Sequence, residues 1–369
     1  MVQGSLPNIL ILSAQVPFTR GGAEVLIERL RAELSDRGYG VDVVSLPFNA
    51  QPKRAILKQM ALWRALDLTS FAGRSVDLVI ATKFPTYMVK HPNKVTWLVH
   101  QHRQVYELYG TRFGDFDTGP VDESLRRMVV EADSVALKEC RARYTISENV
   151  SRRLERYLGL ESQSVLPPLP LGNAYRSSTV GDYILSVGRI CSIKRVDLIV
   201  KSMPRIDERL KLKVVGLPDE PAIEAYLKSE IEKHHLWHRV EFLGRVSDDE
   251  LIELYAGAFA VYYAPYDEDY GFVTLEALAS GRPVITATDS GTVLEFIRHE
   301  ENGLVLEPNE QAIAEGVNRL LHDQPLQDRV RNTLRNQPTI ASPSAMTWDH
   351  VVARLTGECP PEQSSVMNG

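Results

Sequence analysis

Cysteine is almost missing from this chain of 369 residues: Cys140, Cys191 and Cys359 lie far apart, are odd in number and form no metal-type cluster. That argues against a disulfide framework and a structural zinc, and the expected location is the reducing interior of a cell. No apolar run approaches the roughly 20 residues of a membrane span, and Asn8 to Ala14 is too short, and unflanked by basic residues, for a secretory signal. Positive charge is not in excess, since 42 basic against 48 acidic residues leave a net charge of -6. No nucleic-acid partner is expected. Repeats and low-complexity segments are lacking too, although residues 359–369 read as a loose tail.

What is present is 44% hydrophobic and 24% charged residues, the profile of an ordinary globular protein, in a length that suggests two domains at roughly 150 residues each. Asn8 to Ala14 reads as a strand, Arg20 to Gly22 as a loop, and Ala23, Leu26, Ile27, Leu30 and Leu34 as one face of a helix that Gly38 stops. Further strands are expected at Val41 to Leu46, Asp77 to Thr82 and Val95 to Val99. Pro167, Pro168 and Pro170, followed by Gly172, cannot continue a helix or a central strand, so the domain boundary is placed there. Strands resume at Tyr183 to Val187, Leu212 to Val215, Val240 to Leu243, Ala260 to Ala264, Val284 to Ala287 and Leu304 to Leu306. The fold class is α/β: two doubly wound Rossmann-like domains, 1–168 and 169–340, facing across a cleft, with residues 341–358 as a C-terminal helix.

The most informative stretch runs from Pro265 to Pro283 between two apolar strands. Glu268 falls on a loop. Gly271 permits a sharp turn, and the helix expected from Phe272 carries Glu276 on its first turns. The N–H groups of Phe272, Val273 and Thr274 then form a positive helix end beyond a parallel strand, where phosphates bind. Two carboxylates beside it suit sugar hydroxyls; the alternative is a Glu276 that serves its own helix and a solvated Glu268. Asp267 to Asp269 could hold a divalent cation, but Arg189 and Lys194, on the turn after the Tyr183 strand, can neutralise a diphosphate without one.

Taken in order, Gly21-Gly22-Ala23-Glu24, Gly188-Arg189 with Lys194, Phe242-Leu243-Gly244, Glu268 through Glu276 with Gly281 to Val284, and Asn302 to Val305 resemble the retaining glycosyltransferases of family 4, also called glycosyl transferases group 1, over nearly the whole chain. The resemblance implies the GT-B fold, a nucleotide-diphosphate-sugar donor as co-substrate and no cofactor or metal. It also implies that Arg189 and Lys194 hold the diphosphate, Glu276 bonds the ribose and Glu268 faces the donor sugar. Gly244, Arg245 and Val246 would lie along the base, and Gly21 and Gly22 would let a loop approach the diphosphate. The last helix would return to the first domain. Four places depart from the common pattern: Asp269-Tyr270 for Gly-Phe, Tyr266 for Ser, Arg195 for Gly, and Gly291-Thr292 for Gly-Gly. Glu24, one turn into its helix, reads as a helix-end charge.

In the first domain His100 ends the Thr96 to Val99 strand and by position matches the family's histidine near the donor sugar. A structural role, or a metal pair with His102, are the alternatives. His102, Arg103, Tyr106 and Tyr109, with Phe113 and Phe116, would contact a sugar-bearing or lipid-linked acceptor from an aromatic loop, or else be core. Residues 51–66 form a basic amphipathic helix, with Lys53, Arg54, Lys58 and Arg64, which would either contact the inner face of a membrane or pack on the sheet. An epimerase of the same fold is the nearest rival to a glycosyltransferase. A dinucleotide-dependent oxidoreductase is more distant, because the loop from Gln15 to Gly22 lacks the closely spaced glycines of a dinucleotide turn. With cations in place of a metal, turnover is expected to survive EDTA; loss on chelation and rescue by a divalent ion would instead make Asp267 and Asp269 ligands.

Overall fold

Continuous apolar strands need cover on both faces, and a parallel sheet lined by helices supplies it. In the computed structural model, which describes residues 6–336 and 346–358, the chain forms two such units, residues 6–170 with 346–358, and residues 171–336. The expected tail, 359–369, lies outside the described residues.

The first unit contains β1 (Asn8–Gln15), β2 (Gly40–Pro47), a small antiparallel hairpin of β3 (Ser70–Phe71) and β4 (Arg74–Ser75), β5 (Leu78–Lys83), β6 (Lys94–His100), β7 (Ala142–Thr145) and β8 (Gln163–Ser164). Apart from the hairpin they make one parallel sheet in the order β2-β1-β5-β6-β7-β8. Ile9, Ile11 and Leu12 of β1 are buried, as are Leu26, Ile27, Leu30 and Leu34 on the helix Gly22–Asp36. The second unit contains β9 (Tyr183–Val187), β10 (Lys211–Val215), β11 (Val240–Gly244), β12 (Ala260–Tyr262), β13 (Val284–Ala287) and β14 (Gly303–Leu306), all parallel, in the order β11-β10-β9-β12-β13-β14.

In each sheet the strand order reverses direction once, between β1 and β5 in the first unit and between β9 and β12 in the second. At such a reversal the loops leaving the carboxyl ends of the two strands diverge to opposite sides and open a crevice, so these are the places to look for ligands.

The lipid-facing alternative for residues 51–66 is corrected here. The helix spans only Ala55–Ala65, and its apolar residues Ile56, Met60 and Trp63 are buried in the first unit. Lys53 pairs with Asp122 at 2.5 Å and Arg64 with Glu139 at 2.6 Å, which ties two of the cations to protein carboxylates. No helix among the described residues is long and apolar enough to cross a membrane.

The helix Trp348–Thr356, capped by the Thr347 hydroxyl on the His350 N–H, packs within the first unit. Trp348 meets Trp97 of β6 edge-on at 6.2 Å, Asp349 pairs with Arg37 at 2.5 Å, and Val351, Val352 and Leu355 are buried. Leu355→Ala is expected to cost about 3 kcal/mol through the cavity it leaves, read as an earlier urea midpoint by tryptophan fluorescence. A wild-type midpoint would detach this helix from the unit's cooperative core.

Candidate functional site

At the reversal of the second sheet, the segment after β9 brings Lys194 and the segment after β12 brings Glu268. The Lys194 ammonium donates to Glu268 Oε2 at 2.5 Å and to the Tyr263 hydroxyl at 3.0 Å. Both side chains are largely buried, 18% and 13% exposed. Burial alone would pull the Lys194 pKa down, but Glu268 and Tyr263 outweigh it and hold the amine above its ordinary value, so it is a cation at neutral pH. Arg189 lies on the same segment, half-exposed, and pairs with Asp219 of the loop after β10 at 2.6 Å. Asp219 escapes a reading of the sequence because it stands beside Glu220 just before a helix, where a pair of acids reads as helix-end charge. These loops approach closely at glycine: a Cβ on Gly216, whose φ is +137°, would lie 1.9 Å from the Gly188 carbonyl oxygen.

Gly271, at φ +80°, turns the chain into the helix Phe272–Ala279, which has neither a side-chain cap nor an acid in its first turn. The Thr274 N–H is already donated to the Gly271 carbonyl at 2.9 Å, which corrects the expectation of three free groups. Phe272 and Val273 precede the first such bond, so their N–H groups form the open helix end. Glu276 is buried on this helix, and its Oε2 accepts from the Tyr255 hydroxyl at 2.6 Å. Burial raises its pKa above the usual range, against the stabilising Tyr255 and Tyr175 hydroxyls. Gly244 ends β11 in the left-handed region at φ +67°, with Arg245 and Val246 in the loop that follows.

In the first unit, Gly21 and Gly22 follow β1 and open the helix Gly22–Asp36. Gly21 is extended, so its conformation does not require glycine. Glu24 behaves as a helix-end charge: its Oε2 accepts the Gly21 N–H at 2.9 Å and its Oε1 pairs at 2.6 Å with Lys83 at the end of β5. His100 ends β6, its Nδ1 2.8 Å from the Gln101 carbonyl oxygen. His102 is buried, stacked on Phe84 at 5.0 Å, and held to a pKa of about 4 by burial and by His100, so it is neutral. Arg103 pairs with Glu107.

Tyr106 and Phe116 are buried, and the Tyr109 hydroxyl donates to Glu123 at 2.7 Å with Arg126 over its ring. Much of the expected acceptor loop is therefore core. The reason is Asp133, which a helix pattern hides in the sequence: its Oδ2 accepts from the Tyr106 hydroxyl at 2.7 Å and anchors that loop from below.

Two doubly wound parallel sheets define the fold class, and comparison with known proteins narrows it. Residues 174–337 match the family described as glycosyl transferases group 1. The chain is 34% identical to an uncharacterized glycosyltransferase of Methanocaldococcus jannaschii over 46% of its own length and 42% of that protein's. It is 25% identical to the D-inositol 3-phosphate glycosyltransferase of Nocardia farcinica over 94% of this chain and 83% of that one. Among solved structures, a sucrose-phosphate synthase from Thermosynechococcus elongatus matches with a TM-score of 0.75 at 17% identity, covering 95% of this chain and 98% of that one. Anabaena HepE in complex with UDP-glucose matches with a TM-score of 0.69 at 16% identity, covering 95% and 100%. The fold is GT-B, and residues 174–337, within the second unit, match the glycosyl transferases group 1 family.

Asp133 yields a pH prediction. Burial pushes its pKa up from 3.8 to about 7 against the Tyr106 hydrogen bond, so the folded state favours the protonated acid. Stability from this group is full below its unfolded-state pKa and is lost as pH rises through about 7. Asp133→Asn is expected to abolish a loss on the order of 3 kcal/mol between about pH 5 and about pH 8. Urea midpoints of the two proteins at both pH values test this; parallel profiles would refute it.

Proposed function

We propose that this protein transfers a sugar from a nucleotide-diphosphate-sugar, bound mainly by the second unit, to a hydroxyl of a carbohydrate, lipid-linked or small-molecule acceptor, bound mainly by the first. The observation that carries this reading is the Lys194–Glu268 pair at the reversal point of the second sheet, in the same chain segment as an uncapped helix end. The match of residues 174–337 to the glycosyl transferases group 1 family supports it, as does the UDP-glucose bound by HepE.

As the bond from the anomeric carbon to the phosphate oxygen breaks, negative charge grows on the diphosphate. Lys194, Arg189 and the N–H groups of Phe272 and Val273 are preplaced cations and dipoles that stabilise that charge more than the ground state, without a metal. The acceptor oxygen then bonds the sugar carbon, and its proton passes to the departing phosphate. Glu268, oriented by Lys194, serves the donor sugar, and His100 of the first unit is assigned to the same sugar. Glu276, oriented by the Tyr255 hydroxyl on its Oε2, serves the ribose hydroxyls, and residues 244–246 follow the base. Retention of anomeric configuration is inherited from the family resemblance.

A thermal-shift panel of UDP-, GDP-, ADP- and dTDP-sugars identifies the donor by mass action, and incubating that donor with and without acceptors separates transfer from epimerisation. Lys194→Ala is expected to lose about 3 kcal/mol of transition-state stabilisation, ~100-fold in kcat. Glu276→Gln, which keeps size and one acceptor oxygen, should mainly raise the donor KM. The reverse split would overturn these two assignments, and no stabilisation by any donor would overturn the reading itself.

A further inference from the structure

Beside Lys194 stands Arg195, one of the departures from the family pattern. Its φ of +53° lies in the left-handed region, an uncommon and costly place for a long side chain. Strain of this kind persists only where the surroundings over-determine it, and here they do. The Arg195 side chain is 3% exposed and all three of its nitrogens are engaged. Nε donates to the Ala264 carbonyl at 2.6 Å and Nη2 to that of Pro265 at 2.9 Å. Nη1 and Nη2 grip both oxygens of Asp289, at 2.9 Å and 2.6 Å.

These partners sit on two other segments, one after β12 and one after β13. A single planar guanidinium therefore ties together the carboxyl-end segments of β9, β12 and β13, which are adjacent in the sheet. The backbone completes the stitch: the Asp267 N–H donates to the Asp289 carbonyl at 2.8 Å, and the Glu268 N–H to that of Ser290 at 3.3 Å. Lys194 precedes Arg195 directly, and Glu268 follows Pro265 closely on the same segment.

We propose that the Arg195–Asp289 pair is a clamp that positions Lys194 against Glu268, which makes Arg195 and Asp289 positioning residues for the diphosphate and donor-sugar site. The clamp rests on the transferase reading for its purpose, but not for its existence. Four directional bonds from a rigid fork fix orientation in a way that a lysine, with its single mobile ammonium, cannot reproduce.

The test compares wild type with Arg195→Gly, which relieves the left-handed strain while removing the fork, and Asp289→Asn, which keeps shape but breaks the bidentate pair. Reductive methylation with formaldehyde and cyanoborohydride is followed at individual lysines by mass spectrometry. Lys201, on the next helix and 23% exposed, reports local unfolding, and buried Lys94 reports unfolding of the first unit. Each variant is expected to speed labelling of Lys194 by ~10-fold relative to Lys201, and the double variant by no more than either single change, because both act on one link. With the donor found in the thermal-shift panel, kcat should fall ~10-fold while donor KM moves far less, and Arg195→Lys should not rescue it. Should Arg195→Gly fail to fold, Asp289→Asn decides alone. Lys194 labelling at the wild-type rate, or rising equally at Lys201, overturns the clamp. If wild type turns over no donor, the transferase reading falls while the labelling still decides.

Discussion

The ion pair between Lys194 and Glu268 is the contact on which the candidate site depends. Two charges taken largely out of water repay their desolvation only when geometry is good and further polar groups complete the shell, and removing one partner leaves the other stranded at a cost of about 3–5 kcal/mol. Here the Tyr263 hydroxyl completes the shell. Holding an amine and a carboxylate at 2.5 Å from segments that are 74 residues apart requires both segments to leave the same edge of one sheet. Parallel strands adjacent at a reversal point meet that requirement, which is why the order β10-β9-β12-β13 matters more to the site than any single strand does.

Backbone strain marks the same edge, although His235 and Glu300, on the turns before β11 and β14, are left-handed as well. Arg195 and Asp267 both occupy the left-handed region, at φ +53° and +44°, and both lie on the segments that the pair joins. In the first unit Phe18, at φ +64° on the loop after β1, is fully exposed, and Ala72, at φ +49°, sits in the turn of the small hairpin. A helix or strand interior gives no return for such conformations. Loops at the carboxyl edge do, because there a side chain must be aimed rather than merely buried.

Central strands such as β1, β5, β6, β9 and β13 were legible because burial on both faces leaves a continuous apolar run with no polar alternation to confuse the period. β7 and β8 were not, since Ala142 to Thr145 and Gln163 to Ser164 are short, polar and less buried, at and next to the edge of the sheet. Lys194, Glu268 and the Gly271 turn could be read from spacing, whereas their partners could not. Asp219, Asp289, Tyr255 and Asp133 each lie 21 or more residues from the group they serve, and nothing local in the sequence ties an acid or a hydroxyl to a distant partner. The aromatic segment from Tyr106 to Phe116 was ambiguous for the same reason: whether it is lid or core turns on Asp133, 27 residues beyond Tyr106.

The two reversal points carry the same residue types in different states. In the first unit Glu24 caps its own helix by accepting the Gly21 N–H and neutralises Lys83, so the helix end and the cation are both already answered by one protein carboxylate. Burial would raise the Glu24 pKa, but Lys83 and backbone N–H groups including that of Gly21 together outweigh burial and lower the pKa, keeping that answer charged at neutral pH. In the second unit the helix Phe272–Ala279 has no acid in its first turn, and Arg189 adds a half-exposed cation whose partner, Asp219, stands on another loop. An anion arriving at the first crevice would have to displace Glu24 from a bonded, desolvated position. At the second it would meet open N–H groups and a cation still in reach of water. Electrostatics thus makes the helix end of the second unit the more receptive of the two to an anion.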